Sequence, residues 1–291
     1  MKWGRTYKLY VETTPVGSGQ ALKIEYPLTI EFDVTRNTLS SMNRAHITVK
    51  NLNEATRKKI FHDRFDYTTY KLCVLEAGYE SQTKLSTIFR GNIMFANSSK
   101  RGVDWFTEIE AIDGIYGTMN SNISTSIPSG YSAPQLFRTI FSSLQNVEMG
   151  KIGNIDTKSS RGITLSGNSW TIASDLSKTI APGSMCFIDK EKANILADGD
   201  YIRNTGGVEV ITSESGLIET PRRGEKTIDV KMIFEPNVQI GQIVELRSIE
   251  TVNNGQYQVI GFKHSGTISG AVCGAVETTL TLYQPNILKA I

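Results

Sequence analysis

Apolar and polar residues alternate with a period of two towards both ends of this chain, and with a helical period in its middle. The clearest alternation runs from Leu28 to Leu52. There Ile30, Phe32 and Val34 fall on one face and Glu31, Asp33 and Thr35 on the other. After a polar stretch, Ala45, Ile47 and Val49 alternate with His46, Thr48 and Lys50. This period marks strands that bury one face and wet the other. The intervening RNTLSSMNR exceeds a two-residue hairpin turn, so the sequence predicts a loop from Arg36 to Arg44. Asn53 is placed to cap a helix over EATRKKIF, with Glu54 in its first turn.

Similar runs precede and follow this ribbon. YKLYVE, YKLCVLEAGY, STIFRGNIMF with a bend at Gly91-Asn92, and DWFTEIEAID read as short strands, while PVGSGQ reads as a turn. Together they predict a small β-barrel or sandwich up to about Asp113. GIYGTMNSNISTSIPSG reads as a linker. Beyond it, SAPQLFRTIFSSLQ predicts a helix capped by Ser132. A second helix is capped by Ser169 and stops at Pro182-Gly183, and MCFIDKEKANILA predicts a hairpin turning at DKEK. Strands return after DGDYIRNTGG, with Asn253-Asn254-Gly255 as a tight turn and Gly241 bending the chain before Ile243. The expected fold is mainly β (α+β). It has an N-terminal barrel over 1–115, an α/β insert of two helices and a hairpin over 116–215, and a C-terminal barrel over 216–291. The two barrels are expected as separate sheets, with Leu28–Leu52 and Thr227–Ser248 in matching positions.

Composition narrows the function classes. With 291 residues, 39% apolar and 21% charged, the chain can build two or three cores and is not disordered. A formal charge of +2 gives no global attraction to nucleic acid or anionic membrane. No apolar run is long enough to span a bilayer, and no apolar leader opens the sequence, so stable membrane insertion and secretion are not expected. Cys73, Cys186 and Cys273 are odd in number and far apart, which predicts reduced, buried thiols. His46, His62 and His264 share no metal-ligand spacing, and no nucleophile or phosphate-binding motif occurs. Glu108 and Glu110 share the polar face of one strand, where carboxylates are normally solvated. No catalytic, cofactor or metal residue is therefore assigned. Arg57-Lys58-Lys59 with Arg64 reads as a solvated helix face, and the tryptophans as core or interface anchors. Long polar loops on rigid scaffolds commonly bind partners, which makes Arg36, Asn37, Asn43 and Arg44 candidate interface residues. Lys100-Arg101 and Arg222-Arg223 are placed in loops that can meet a partner, and Arg222 and Arg223 join the candidates.

Taken in order, several stretches resemble the baseplate central hub proteins of contractile-tailed phages and R-type tailocins. They are IEFDVTRN followed by ITVKNLN, ITLSGNSWTIASDLSKTI, ITSESGLIETPRRGEKTIDVKMIFEPNVQIGQIVEL, and NNGQYQVIGFKHSG. Each piece is weak and the ordered set is specific. The resemblance implies a homotrimer whose paired tube-like barrels adapt a sixfold tail tube to a threefold spike around a lumen for DNA. It implies the tail tube or tube-initiator protein, the central spike protein and the tape measure protein as partners, and no cofactor. DNA would be met only in passage, and the protein would be a virion component assembled in the host cytoplasm. The rival reading is a tail-associated peptidoglycan hydrolase or cell-wall-binding module.

Overall fold

The computed structural model describes residues 4–13, 21–38, 42–64, 66, 69–203, 206, 208–271, 274–284 and 289–290. Cys273, Trp3, the PVGSGQ turn after Pro15 and residues 39–41 of the long loop lie outside the described residues.

The N-terminal part forms β1 (Arg5–Glu12), β2 (Ala21–Glu25), β3 (Ile30–Asn37), β4 (Arg44–Lys50), α1 (Glu54–Ile60), β5 (Leu72–Tyr79), β6 (Ser86–Arg101) and β7 (Asp104–Ile112). The alternation of β3 and β4 is realised: Ile30, Phe32, Val34, Ala45, Ile47 and Val49 are all buried, and the two strands pair antiparallel from Ile30↔Val49 to Thr35↔Arg44. Asn53 caps α1 by accepting a hydrogen bond from the Thr56 N–H at 2.8 Å. Gly91-Asn92 is not a bend between two strands. β6 runs straight through it and shifts register between Ile93 and Phe95 against β7. A Cβ on Gly91 would meet the Ile112 carbonyl oxygen at 2.6 Å, so the glycine answers a close strand contact.

The middle part forms α2 (Ile115–Asn120), β8 (Asn122–Ile127), α3 (Ala133–Ser142), β9 (Glu148–Ile152), β10 (Ile163–Asn168), α4 (Ser169–Ile180), β11 (Met185–Ile188) and β12 (Lys192–Leu196). The expected linker after Asp113 is therefore ordered structure. Ile115 and Ile123 are buried and anchor α2 and β8, and β8 pairs with β10. Ser132 and Gln135 form a reciprocal capping box on α3. The cap of α4 is Asn168, whose side chain accepts from the Thr171 N–H; Ser169 is the first helical residue and is buried. The predicted β11–β12 hairpin forms, and β9 adds to it in parallel.

The C-terminal part forms β13 (Asp200–Tyr201), β14 (Val210–Ile211), β15 (Arg222–Arg223), β16 (Thr227–Ile233), β17 (Ile243–Leu246), β18 (Gly255–Ile268), β19 (Val276–Tyr283) and β20 (Lys289–Ala290). Asn253-Asn254-Gly255 is not a type I′ turn: Thr251–Asn253 is a 3-10 turn, and Gly255 opens β18 opposite Leu246. Gly241, expected to bend the chain before a buried Ile243, has a positive φ of 85°, but it is Val244, not Ile243, that faces the core.

The fold is mainly β, as expected, and one expectation about it is corrected. The two β units do not form separate sheets. A 13-stranded sheet runs β15-β16-β19-β18-β3-β4-β7-β6-β5-β1-β2, with β17 pairing to β18 and β14 to β17. The joint is β18 against β3, antiparallel from Gly261↔Asn37 to Ile268↔Ile30. β18 can serve both units because it changes partner along its length. Its first residues pair with β17, a register shift at Ile260 bends it, and the remainder pairs with β3. Nor do Leu28–Leu52 and Thr227–Ser248 match, because β3 pairs with β4 whereas β16 pairs with β15 and β19, not with β17. The buried side chains still form distinct clusters. One is drawn from the N-terminal strands with Phe234, Ile268 and Val276. A second lies in the middle part, and a third joins C-terminal strands to Phe187 and Leu196.

Candidate functional site: a buried polar knot where the three parts meet

The long loop predicted to face a partner has its two ends turned inward. β3 continues through Arg36 and Asn37, so Arg36 keeps the parity of Phe32 and Val34 and is only 2% exposed. Asn43 keeps the parity of Ala45 and Ile47 and is equally buried. Asp113, two residues beyond Ala111 on the buried face of β7, comes up beside them. Into this ring of polar groups reaches the tip of the β11–β12 hairpin.

The Arg36 guanidinium donates from Nε to Asp189 Oδ1 at 2.7 Å and from Nη2 to Asp189 Oδ2 at 2.5 Å. Its Nη1 donates to the Ile88 carbonyl at 3.3 Å, and its plane lies 4.7 Å from the Phe262 ring centre. A planar fork matched to a carboxylate is the arrangement that makes burial of an arginine tolerable. Asn43 donates from Nδ2 to the Ile188 carbonyl at 2.9 Å and accepts from the Asn37 N–H at 2.9 Å. One side chain thus closes the β3–β4 loop and holds the hairpin.

The hairpin turn is Asp189-Lys190-Glu191-Lys192, with Lys190 at φ 53° and Glu191 at φ 57°. Two successive left-handed residues make a type I′ turn, which glycine and asparagine normally occupy. Asp113 offsets the strain. Its carboxylate accepts from the Lys190 N–H at 2.6 Å and from the Glu191 N–H at 2.7 Å. The Glu191 side chain pairs with Arg90 Nε at 2.7 Å.

Burial, and then the nearby Asp189 charge, push the Asp113 carboxyl up to about 7, against the opposing pull of the turn N–H groups and Arg36. Burial, and then Arg36, push the Lys190 ammonium down to about 8. Burial also raises Glu191, against its pairing with Arg90. Because the folded pKa of Asp113 lies above its ordinary 3.8, the folded chain holds a proton that the unfolded chain has released between those values. Stability should therefore fall as pH rises from about 4 to about 7, by about 1.4 kcal/mol per pH unit for one proton. Asp113→Asn should flatten that slope, which denaturant midpoints measured across the window would report. Equal slopes in both proteins would refute it.

The other candidates are spread out. Arg44, Arg222 and Arg223 are exposed and Asn37 is half-buried. Arg222 and Arg223 form the short edge strand β15 and do not lie in a loop; Arg222 pairs with Glu219 at 3.4 Å. His46 is exposed, His62 is buried against Ala96, and His264 is wholly buried with Nδ1 2.9 Å from the Thr278 hydroxyl. Burial pushes His264 down to about 3. Among the described residues no acidic, histidine and cysteine side chains gather into a metal-binding group. Neither Cys73 nor Cys186 is in a disulfide, and burial pushes both thiols up to about 12. Among the described residues no helix is long and apolar enough to cross a membrane.

Nothing local in the sequence marks Asp113, Asp189, Lys190, Glu191 and Arg90 as members of one cluster. Parity was the available signal for part of it: counted on from their strands, Arg36, Asn43 and Asp113 all fall on buried faces. Asp189 had no local signal, since its partner lies 153 residues away.

Comparison with known proteins agrees with this architecture. The chain is similar to the 43 kDa tail protein of prophage MuSo2 from Shewanella oneidensis, with a TM-score of 0.64 and 9% identity over 99% of this chain and 100% of that one. It is similar to the tail protein from Neisseria meningitidis MC58, with a TM-score of 0.63 and 9% identity over 98% of each. It also resembles the c3393 protein of E. coli, a component of the type VI secretion system, with a TM-score of 0.51 and 12% identity over 88% of this chain and 74% of that one. At such identities the likeness concerns the fold alone. No curated protein matches in sequence. The family described as Baseplate hub gp41 matches residues 11–265, which takes in most of the N-terminal β unit, the insert, the C-terminal β unit short of β19 and the whole polar knot. The chain belongs to this baseplate hub gp41 family of phage tail structural proteins.

Proposed function

We propose that three copies of this chain close into a ring at the centre of a phage baseplate, each contributing its two β units to a wall around a lumen. The ring adapts a sixfold tail tube to a threefold spike and lets DNA through. The observation that carries the reading is a polar row that crosses the β18–β3 joint on one face of the sheet and so runs from one unit into the other. Along one row Glu277, Ser265, Asp33, His46 and Glu110 stand side by side on successive strands. Ion pairs stitch the face together: Lys231 with Glu277 at 2.9 Å, Lys263 with Asp33 at 2.6 Å, and Arg64 with Glu110 at 2.9 Å. Mixed charge of this kind keeps a wall wet while offering little to a passing polyanion along this row, since Lys231, Lys263 and Arg64 each face a carboxylate.

Tail tube or tube-initiator protein on one side, the spike on the other, and the tape measure protein are the partners this reading requires. A solved complex of PdpA and VgrG from Francisella, with a TM-score of 0.58 and 9% identity over 100% of this chain and 60% of that one, supports a spike partner. Arg44, Arg222 and Arg223 are the exposed candidates for contacts between copies or with the tube, and the loop from Asn37 to Asn43 joins them. The protein acts without catalysis, as part of the virion assembled in the host cytoplasm. Native mass measurement and electron microscopy of assembled tails should find three copies per baseplate. A different stoichiometry would overturn the ring, and turbidity loss on incubation with purified peptidoglycan would favour a hydrolase instead.

A further inference from the structure

The far end of the β6–β7 hairpin carries a concentration of cations that the hub reading leaves unused. Each face of this end holds one aromatic ring with a cation against it. On one face the Phe106 ring lies between Lys50, 5.3 Å from its centre, and Arg101, at 5.1 Å. On the other, the Arg57 guanidinium of α1 stacks on Trp105 at 3.5 Å, and Lys100 sits opposite Trp105 in register. Asn51 fixes the edge through its side chain, which bonds Asp104 and the Trp105 N–H at 2.9 Å each. At the apex, past Gly102 at φ 63°, Val103 is 89% exposed.

The charges do not cancel. Lys58 is paired with Glu54 at 2.7 Å and Arg101 with Glu108 at 2.5 Å. Lys50, Arg57, Lys59 and Lys100 have no ion pair among the described residues. This excess is gathered in a chain whose whole net charge is only +2. Lys100 and Arg101 are the last residues of β6, so they are presented on a rigid strand rather than in a loop.

We infer that the β6–β7 tip and α1 form a docking site for an acidic, amphipathic segment of a partner protein, with Val103 entering the segment's apolar side. The cations supply charge complementarity and steering, and the aromatic–cation stacks pre-order the long side chains that would otherwise lose freedom on binding. Nucleic acid fits less well: Arg57 already occupies a face of Trp105, and Lys50 and Arg101 flank Phe106, which leaves less ring for a base to stack on, and an exposed valine gives a phosphate nothing.

The test uses the full chain and a short fluorescein-labelled peptide of alternating glutamate and leucine, followed by anisotropy. The native chain should bind it. Lys100→Glu with Arg101→Glu should weaken binding by roughly tenfold or more, equivalent to about 1.4 kcal/mol. Val103→Asp should weaken it as well, and Lys226→Glu, an exposed charge elsewhere, should leave it unchanged. All these positions are exposed, and circular dichroism would verify that each variant is folded. The inference is overturned if the native chain does not bind, if the doubly reversed variant binds as tightly, or if duplex DNA displaces the peptide at equal concentration.

Discussion

Arg36→Met should destabilise the folded chain by about 3–5 kcal/mol, seen as a large fall in the denaturant midpoint. The magnitude follows from what the substitution strands. Arg36 is almost completely buried, and it neutralises Asp189 while lying near Asp113. Without the guanidinium, Asp189 and Asp113 keep only the Lys190 ammonium nearby, which burial itself disfavours, and the Ile88 carbonyl loses its donor. Arg36→Lys should fare better than methionine but still fall well short of wild type, because an ammonium cannot make the two parallel bonds to Asp189. The double variant Arg36→Met with Asp189→Leu should be less destabilised than the sum of the single variants, since removing both charges removes the unpaired one. If the double variant loses the full sum, the guanidinium contributes by packing on Phe262 alone and the charge argument fails.

Much of the local structure was legible in the sequence because it rests on local physics. Alternation located β3 and β4, Asn53 and Ser132 announced two helix starts, and DKEK marked the hairpin that reaches into the knot. The sequence went wrong where one rule concealed another. Arg36 and Asn43 are polar and so point to a loop, yet both continue the buried parity of their strands. Gly114 to Ile127 is poor in large apolar residues and so points to a linker, but Ile115 is buried on a short helix and Ile123 ties a strand into the middle core. The joint between the two β units was not legible at all. β18 is one strand whose first half belongs to the C-terminal hairpin and whose second half completes the N-terminal sheet, and nothing in its alternation names its neighbours. The same holds for the candidate site: its members lie on β3, β4, β7 and the β11–β12 turn, and only tertiary structure brings them together.

Phe234→Ala should cost a further about 3–5 kcal/mol, independently of the knot, and it tests how the two β units are joined. Phe234 follows β16 in the C-terminal part but is wholly buried in the core of the N-terminal strands. Its ring lies 6.3 Å from that of Phe32, 6.1 Å from Tyr79 and 5.4 Å from the imidazole of His264. The backbone around it is held from both sides. The Tyr79 hydroxyl donates to the Phe234 carbonyl at 2.7 Å, and the Glu235 N–H donates to the Thr278 hydroxyl at 2.9 Å. The Thr278 hydroxyl also lies 2.9 Å from His264 Nδ1, a histidine that burial keeps neutral. Truncation to alanine would empty the space between these rings, and because the flanking backbone is pinned by those hydrogen bonds, the site can collapse only partly. Phe234→Leu keeps most of the volume and should lose less than about 1.5 kcal/mol. Unfolding followed by both tyrosine fluorescence and circular dichroism would distinguish the outcomes. A coincident transition at much lower denaturant is expected for the alanine variant, and a loss below about 1 kcal/mol would mean that the β18–β3 pairing, not this side chain, holds the two units together.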